Sequence, residues 1–179
     1  MTELVVLLDD AGQPTGTADK ATVHTTDTPL HLAFSCHVFN EDGEILVTRR
    51  ALCKKTWPGV WTNSFCGHPG PGEDFADAIV RRASDELGLE ITNLTLALPD
   101  FQYRAVDASG IVENEVCPVY VATAVTEPKP NPDEVAEYYW ADPASLLRSV
   151  ELSPFAFSPW LTLQLPKLAQ TGNLGNPAN

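Results

Sequence analysis

The sequence predicts an α+β fold: a mixed β-sheet core with helices packed on both sides. Three observations carry that expectation. Short runs rich in Val, Ile, Leu, Tyr and Phe recur along the chain, separated by Gly, Pro, Asn and Asp turns. One long stretch, "GPGEDFADAIVRRASDELGLE", has an apolar residue every four positions, the spacing of a helix. No internal repeat and no linker divides the 179 residues, so residues 1–170 are expected to form one domain, long enough to bury a core without staples.

In chain order, "ELVVLLDD" reads as an opening strand and "AGQPTG" as a turn. "HLAFSCHVFNEDGEILVTRR" reads as a hairpin about "EDG", with Leu32, Phe34, Cys36 and Val38 on one face and Ile45 and Val47 alternating on the return strand. His37 is out of phase with that face and should point to the other side. "GVWTNSF" is a short strand. In the helix, Phe75, Ile79, Ala83 and Leu87 make the stripe, which Ala76 and Val80 widen. Glu73 and Asp74 suit its positive end, and Gly88 stops it. Strands follow in "LTLALPDFQYRAV", "NEVCPVYVATAV" and "EYYWAD", with "TEPKPNPDE" a proline-rich loop. "DPASLLRSV" carries a helix start, and "PFAFSPWLTLQLPKL" reads as a helical segment broken by prolines. Residues 171–179 are expected to be a disordered tail.

Composition excludes several classes. The net charge of -13 argues against broad binding to nucleic acid or anionic membranes. "MTELVVLLDD" is apolar too briefly for a signal peptide or a membrane span. A cytoplasmic location with reduced thiols is the expectation. Cys36, Cys53, Cys66 and Cys117 form no C-x-x-C pair, which disfavours a zinc ribbon or a thioredoxin-type motif. Arg49, Arg50, Lys54, Lys55, Arg81 and Arg82 are six of the eleven basic residues and flank "TNSFCGHPGPGED". Such a gathering in an acidic chain can build a local anion site; any one of these residues alone reads as solvated surface.

Single histidines are more often surface or core residues than ligands. His24, His31 and His68 gain weight from "SGIVENEVCPVY", where Glu113 and Glu115 stand at i and i+2 of a strand and share a face. Two adjacent carboxylates repel unless a cation lies between them or one stays protonated. A solvated edge strand is the alternative. If the five residues converge, they form a mixed nitrogen and oxygen site. Imidazoles favour zinc or other first-row metals, and added carboxylates favour magnesium or manganese. An inert buried thiol is the default reading of Cys66; against it, a strand end near a glycine turn and basic residues can stabilise a thiolate and suit acid/base work.

Gly67, Glu73, Arg81 and "Asp85-Glu86-Leu87-Gly88-Leu89" resemble the Nudix box, which holds metal-bound diphosphate. Arg82 stands where the box has glutamate, which weakens a hydrolytic reading. With "KATVHTTDTPLHLAFSCHVFN", "LVTRRALCKKTWPGVWTNSFCGHP", "RRASDELG", "PDFQYRA", "SGIVENEVCPVY" and "FSPW", the chain resembles the type I isopentenyl-diphosphate isomerases from about residue 4 to 165. These are Nudix-fold enzymes that need no flavin. The resemblance implies a Nudix-like core and interconversion of isopentenyl and dimethylallyl diphosphate.

The resemblance further implies Cys66 and Glu115 as the acid/base pair, with Tyr103 and Trp160 near the hydrocarbon. It implies one divalent metal (Mn2+, Mg2+ or Zn2+) at His24, His31, His68, Glu113 and Glu115. It places Mg2+ travelling with the diphosphate near Glu86 and the Cys66 backbone. Lys20, Arg50, Lys54 and Arg82 would grip the diphosphate. Protonating an alkene gives a tertiary carbocation, so the pocket should exclude water and offer π faces, each worth about 2 kcal/mol when desolvated. The expected partner is a small isoprenoid diphosphate, without nucleic acid or membrane, on a monomer with a dimer as the alternative. A Nudix-type diphosphate hydrolase and a non-catalytic metal or headgroup binder are the rival readings.

Overall fold

A computed structural model describes residues 3–175 and residue 177. The strands in chain order are β1 (Leu4–Leu8), β2 (Pro14–Asp19), β3 (His31–Leu32), β4 (Phe34–Phe39), β5 (Ile45–Arg50), β6 (Trp61–Thr62) and β7 (Phe65–Gly67). β8 (Ile91–Leu98), β9 (Gln102–Val106), β10 (Val112–Val116), β11 (Val119–Ala124) and β12 (Val135–Ala141) follow. The helices are α1 (Lys20–Val23), α2 (Phe75–Leu87), α3 (Pro143–Leu152) and α4 (Pro159–Gln170), with a 3-10 turn at Pro154–Ala156.

The strands divide into two mixed sheets rather than one. The first runs β2-β1-β3-β10-β9; the second runs β12-β5-β4-β11-β8, with β6 on β5 and β7 on β4. Each contains one parallel pair, β3 with β10 and β4 with β11. Three segments that read as continuous strands pass from one sheet to the other. The chain crosses at Ala33, between Pro99 and Phe101, and at Cys117–Pro118. These crossings bond to one another's strands: Ala33 N donates to Val116 O at 2.9 Å, Cys117 N to Phe101 O at 2.8 Å and Ser35 N to Pro118 O at 3.1 Å. Pro118 has no N–H to give a ladder, so a break there costs no donor. The sheets part at these crossings.

Alternation along the second sheet feeds two cores. Phe34, Cys36, Val38, Leu46 and Ala122 pack on Ala78, Ile79, Ala83 and Leu87 of α2. Phe39, Ile45, Val47, Val119 and Val121 face Leu146 and Val150 of α3 and Leu161, Leu165 and Leu168 of α4. Helices therefore cover both sides, as the sequence predicted. His37 does point away from Cys36, but that other face is buried too, and His37 is fully enclosed.

Asp74 caps α2 by accepting from Ala76 N at 2.8 Å, and Gly88 ends it in the left-handed region at φ 55°. The buried stripe of α2 widens in the direction opposite to the one expected. Val80 is 52% exposed and Ala76 also faces out, while Ala78, Arg82 and Glu86 are buried. The polar members of that buried face border a cavity. "AGQPTG" is not only a turn, because β2 begins at Pro14. The α1 turn was not foreseen. Pro159 does not break α4; it occupies the first turn, where a missing N–H is harmless. Pro166 lies inside α4, where burial of Leu161, Leu165 and Leu168 offsets the lost bond. Within the expected tail, Asn173 donates its N–H to Leu168 O at 2.8 Å and Leu174 packs on the core; residues 176, 178 and 179 lie outside the described residues.

Candidate functional site

A cavity of about 690 Å³ opens where the sheets part. Lys20, His24, Arg50, Lys54, Cys66 and His68 line it, as do Arg82, Glu86, Tyr103, Glu113, Glu115 and Trp160. His31 lies beneath the surface at 0% exposure. The first sheet supplies Tyr103, Glu113 and Glu115; the second supplies Arg50 and Cys66; α2 supplies Arg82 and Glu86.

Strand register sets the neighbours of Glu115. His31 on parallel β3 and Tyr103 on antiparallel β9 are both its direct partners. Glu115 Oε1 lies 3.5 Å from His31 Nε2 and 3.2 Å from His68 Nε2. Glu113, two residues earlier, reaches the same cavity; its Oε2 is 3.0 Å from His24 Nε2 and its Oε1 accepts from Thr56 Oγ1 at 3.0 Å. Asn114 between them donates to Thr28 O at 3.2 Å. The three imidazole rings have centroids 5.1 to 5.8 Å apart.

One donor atom each from His24, His31, His68 and Glu115 lies within 4.8 Å of the others. His31 Nδ1 contacts Pro29 O at 2.9 Å, which assigns the ring proton to Nδ1 and leaves a lone pair on Nε2. The buried Nε2 atoms of His24 and His31 have no well-formed hydrogen bond among the described residues. Three convergent nitrogens and a carboxylate fit a divalent metal ion. Glu113 borders this set without belonging to it, and Cys66 stands apart from it.

Burial alone would raise the Glu115 carboxyl, but hydrogen bonds and charge from His31 and His68 hold it well below the usual range. Burial pushes the Cys66 thiol up to about 12, the Glu115 charge adding to the rise, so it carries its proton near neutral pH. Burial, then the Glu115 and Glu113 charges, keeps the Tyr103 phenol protonated.

Cations line the same cavity. Lys20 pairs with Glu3 at 2.8 Å, Lys54 with Glu134, and Arg82 with Glu86 at 2.5 Å and Glu134 at 3.7 Å. Arg50 donates to Thr56 O at 3.0 Å and lies 5.4 Å over the Trp160 ring. Lys55 also reaches the cavity, whereas Arg49 and Arg81 pair with Glu137 and Glu73 elsewhere. Glu73 also accepts from Gly70 N at 2.7 Å, so the Glu73–Arg81 pair ties the loop to α2. Gly67 lets β7 pass close to the helix: a Cβ there would lie 2.7 Å from Phe34 Cζ and 2.8 Å from Arg82 Cγ.

Sequence reasoning missed the residues that hold these groups. Asn63 Oδ1 accepts from Trp160 Nε1 at 2.8 Å and from Cys66 Sγ at 3.3 Å. Trp57, at φ 44°, sets its ring edge-on to Trp160 at 5.3 Å. Glu134 bridges two cations from inside the proline-rich loop region. Asn63 and Trp57 both lie inside "LVTRRALCKKTWPGVWTNSFCGHP", which was their available signal; Glu134 had none.

The chain matches the NUDIX domain over residues 29–161. It is 66% identical over 167 residues to a Clavibacter sepedonicus protein named isopentenyl-diphosphate Delta-isomerase, covering 93% of this chain and 88% of that one. Proteins of the same name from Kocuria rhizophila and Leifsonia xyli subsp. xyli are 65% and 67% identical, over 97% and 93% of this chain and 96% and 91% of theirs. Among solved structures, a Deinococcus radiodurans protein superposes with a TM-score of 0.72 at 18% identity, covering 92% of this chain and 98% of that one. A MutT NUDIX hydrolase from Burkholderia pseudomallei gives 0.61 at 23% identity, covering 78% and 98%. At those identities the structural likeness speaks for the fold alone.

Proposed function

The chain belongs to the isopentenyl-diphosphate Delta-isomerases, a family built on the NUDIX domain, and from that premise we propose how its own residues carry the reaction. The enzyme interconverts isopentenyl diphosphate and dimethylallyl diphosphate. A double bond moves by one carbon, so one proton is added to the chain and one removed, and the diphosphate stays attached. Cys66 and Glu115 are the pair that moves those protons. The observation that supports this most directly is that a thiol from the second sheet and a carboxylate from the first line one cavity.

Tyr103, in register with Glu115, lines the same cavity. Trp160 presents its ring to the hydrocarbon, with Trp57 and Tyr103 packed at 5.3 and 5.8 Å to keep water out. Lys20, Arg50, Lys54 and Arg82 anchor the diphosphate; Arg82, in place of a box carboxylate, removes a ligand that hydrolysis would use. His24, His31, His68 and Glu115, with Glu113 beside them, hold a divalent ion (Mn2+, Mg2+ or Zn2+), whose charge lowers the proton affinity of Glu115. A second ion, Mg2+, accompanies the diphosphate near Glu86 and the Cys66 backbone. The net charge of -13 and the cation-lined cavity support a monomer acting on a soluble diphosphate in the cytoplasm, without nucleic acid or membrane.

Purified, reduced protein incubated with isopentenyl diphosphate and divalent metal should yield acid-labile allylic product and no free phosphate. Phosphate release instead would favour hydrolysis. Cys66→Ala should stop turnover while leaving circular dichroism unchanged, and full activity in that variant would remove the thiol from its role.

A further inference from the structure

Behind Cys66 runs a line of buried polar side chains that the reaction scheme does not use. Ser35 on β4 is the direct register partner of Cys66 on β7. Its Oγ lies 3.3 Å from Cys66 Sγ and 3.4 Å from Cys117 Sγ. Gln164 on α4 donates Nε2–H to Ser35 Oγ at 2.8 Å, and Gln164 Oε1 lies 2.9 Å from His37 Nε2. Ser35, His37, Asn63 and Gln164 all have 0% exposure.

Donor and acceptor counting orders this line in one way. His37 Nδ1 is buried without a partner among the described residues, and a buried N–H is left unpaired more rarely than a lone pair, so the ring proton belongs on Nε2, facing Gln164 Oε1. Burial pushes His37 down to about 4, so the ring is neutral at pH 7 and that is its single proton. Gln164 therefore cannot flip, and its N–H points at Ser35. Ser35 Oγ accepts that bond, which leaves its own hydrogen free for sulfur. On the other side, both Asn63 Nδ2 hydrogens are committed, to Cys36 O at 3.1 Å and Phe65 O at 2.7 Å. Asn63 thus offers Cys66 an acceptor. The sulfur is held between one donor and one acceptor, each fixed by a further buried bond.

We propose that Ser35, aimed by Gln164 and His37, is a positioning residue that sets the direction of the Cys66 sulfur toward the substrate. The proposal rests on the reading of Cys66 as a catalytic thiol. Active-site groups act well only when neighbours fix their geometry.

The test uses the full chain with Ser35→Ala and with the near-isosteric Gln164→Met, alongside Cys66→Ala. Each of the first two should lower kcat about tenfold, the factor one hydrogen bond of ~1.4 kcal/mol represents, with KM within about twofold. Combining them should cost little more than the worse single change, because both cut one line. The S–H stretching band of Cys66, assigned by difference against Cys66→Ala, should shift in both. Wild-type kcat with an unshifted band would overturn the proposal, as would equal losses in kcat and melting temperature with no band shift. If Cys66→Ala itself keeps full activity, the catalytic reading fails instead, and the band shift still reports whether Ser35 holds the thiol.

Discussion

Glu115 has a register partner on each side, His31 on β3 and Tyr103 on β9, which fixes its backbone, and its carboxylate is held in the cluster by His31 at 3.5 Å and His68 at 3.2 Å. Glu115→Gln keeps the shape and removes the charge. We expect turnover to fall by at least about 100-fold, the usual scale for a lost acid/base group, and bound metal to fall with it. Steady-state assays and metal analysis on the same preparation check this; unchanged metal content would place the ion elsewhere. His37 carries a different prediction. Its folded value of about 4 lies below the 6.5 of an unfolded histidine, so the unfolded chain takes up the proton first as pH falls. Its contribution is complete above pH 6.5 and is lost progressively toward pH 4, by about 3 kcal/mol. Urea unfolding of His37→Gln across that window should show a correspondingly flatter pH dependence than the wild type.

At the scale of elements, the contact between β7 and α2 joins catalytic and anchoring groups. Gly67 separates Cys66 from His68 and lies against Phe34 and Arg82. Gly67→Ala would push a methyl group into a ring and a guanidinium stem at once. We expect a loss of about 1–3 kcal/mol in stability, typical of overpacking, with weaker binding of inorganic diphosphate because Arg82 shifts. Calorimetry for both quantities decides it, and a variant with native affinity would show that Arg82 does not depend on this packing. The same packing explains the buried face of α2. Arg82 and Glu86 turn inward because a cavity, not solvent, faces them, and each holds the other's charge.

Over the whole molecule, the divalent ion and the fold are linked. Imidazoles from the end of α1, from β3 and from the loop after β7 converge with Glu115, so an ion there ties both sheets together. An ion bound only in the native state adds about 2.7 kcal/mol at 100 times its Kd. Chelation should lower the melting temperature by roughly 5–10 °C, and Mn2+ or Zn2+ should restore it. His31→Ala should melt at one temperature with or without chelator. A chelator effect that survives in that variant would assign the stabilising ion to another site.

The sequence by itself determined the helix from Phe75 to Leu87, the shared face of Glu113 and Glu115, and the family, because each is written in local spacing or in a contiguous motif. Period and motif are properties of neighbours along the chain. It did not show that three apparent strands break at Ala33, Pro99–Phe101 and Cys117–Pro118 to make two sheets. At Ala33 both sides are apolar and β-favouring, so alternation continues while the hydrogen-bonding partner changes; Pro99 and Pro118 mark the other two breaks, but a proline does not say that the next run joins a different sheet. It also gave no sign that the far face of β4 is buried, which turns Ser35, His37 and Gln164 into a line behind Cys66. Only tertiary structure decides which face is covered, since burial depends on what folds back from more than a hundred residues away.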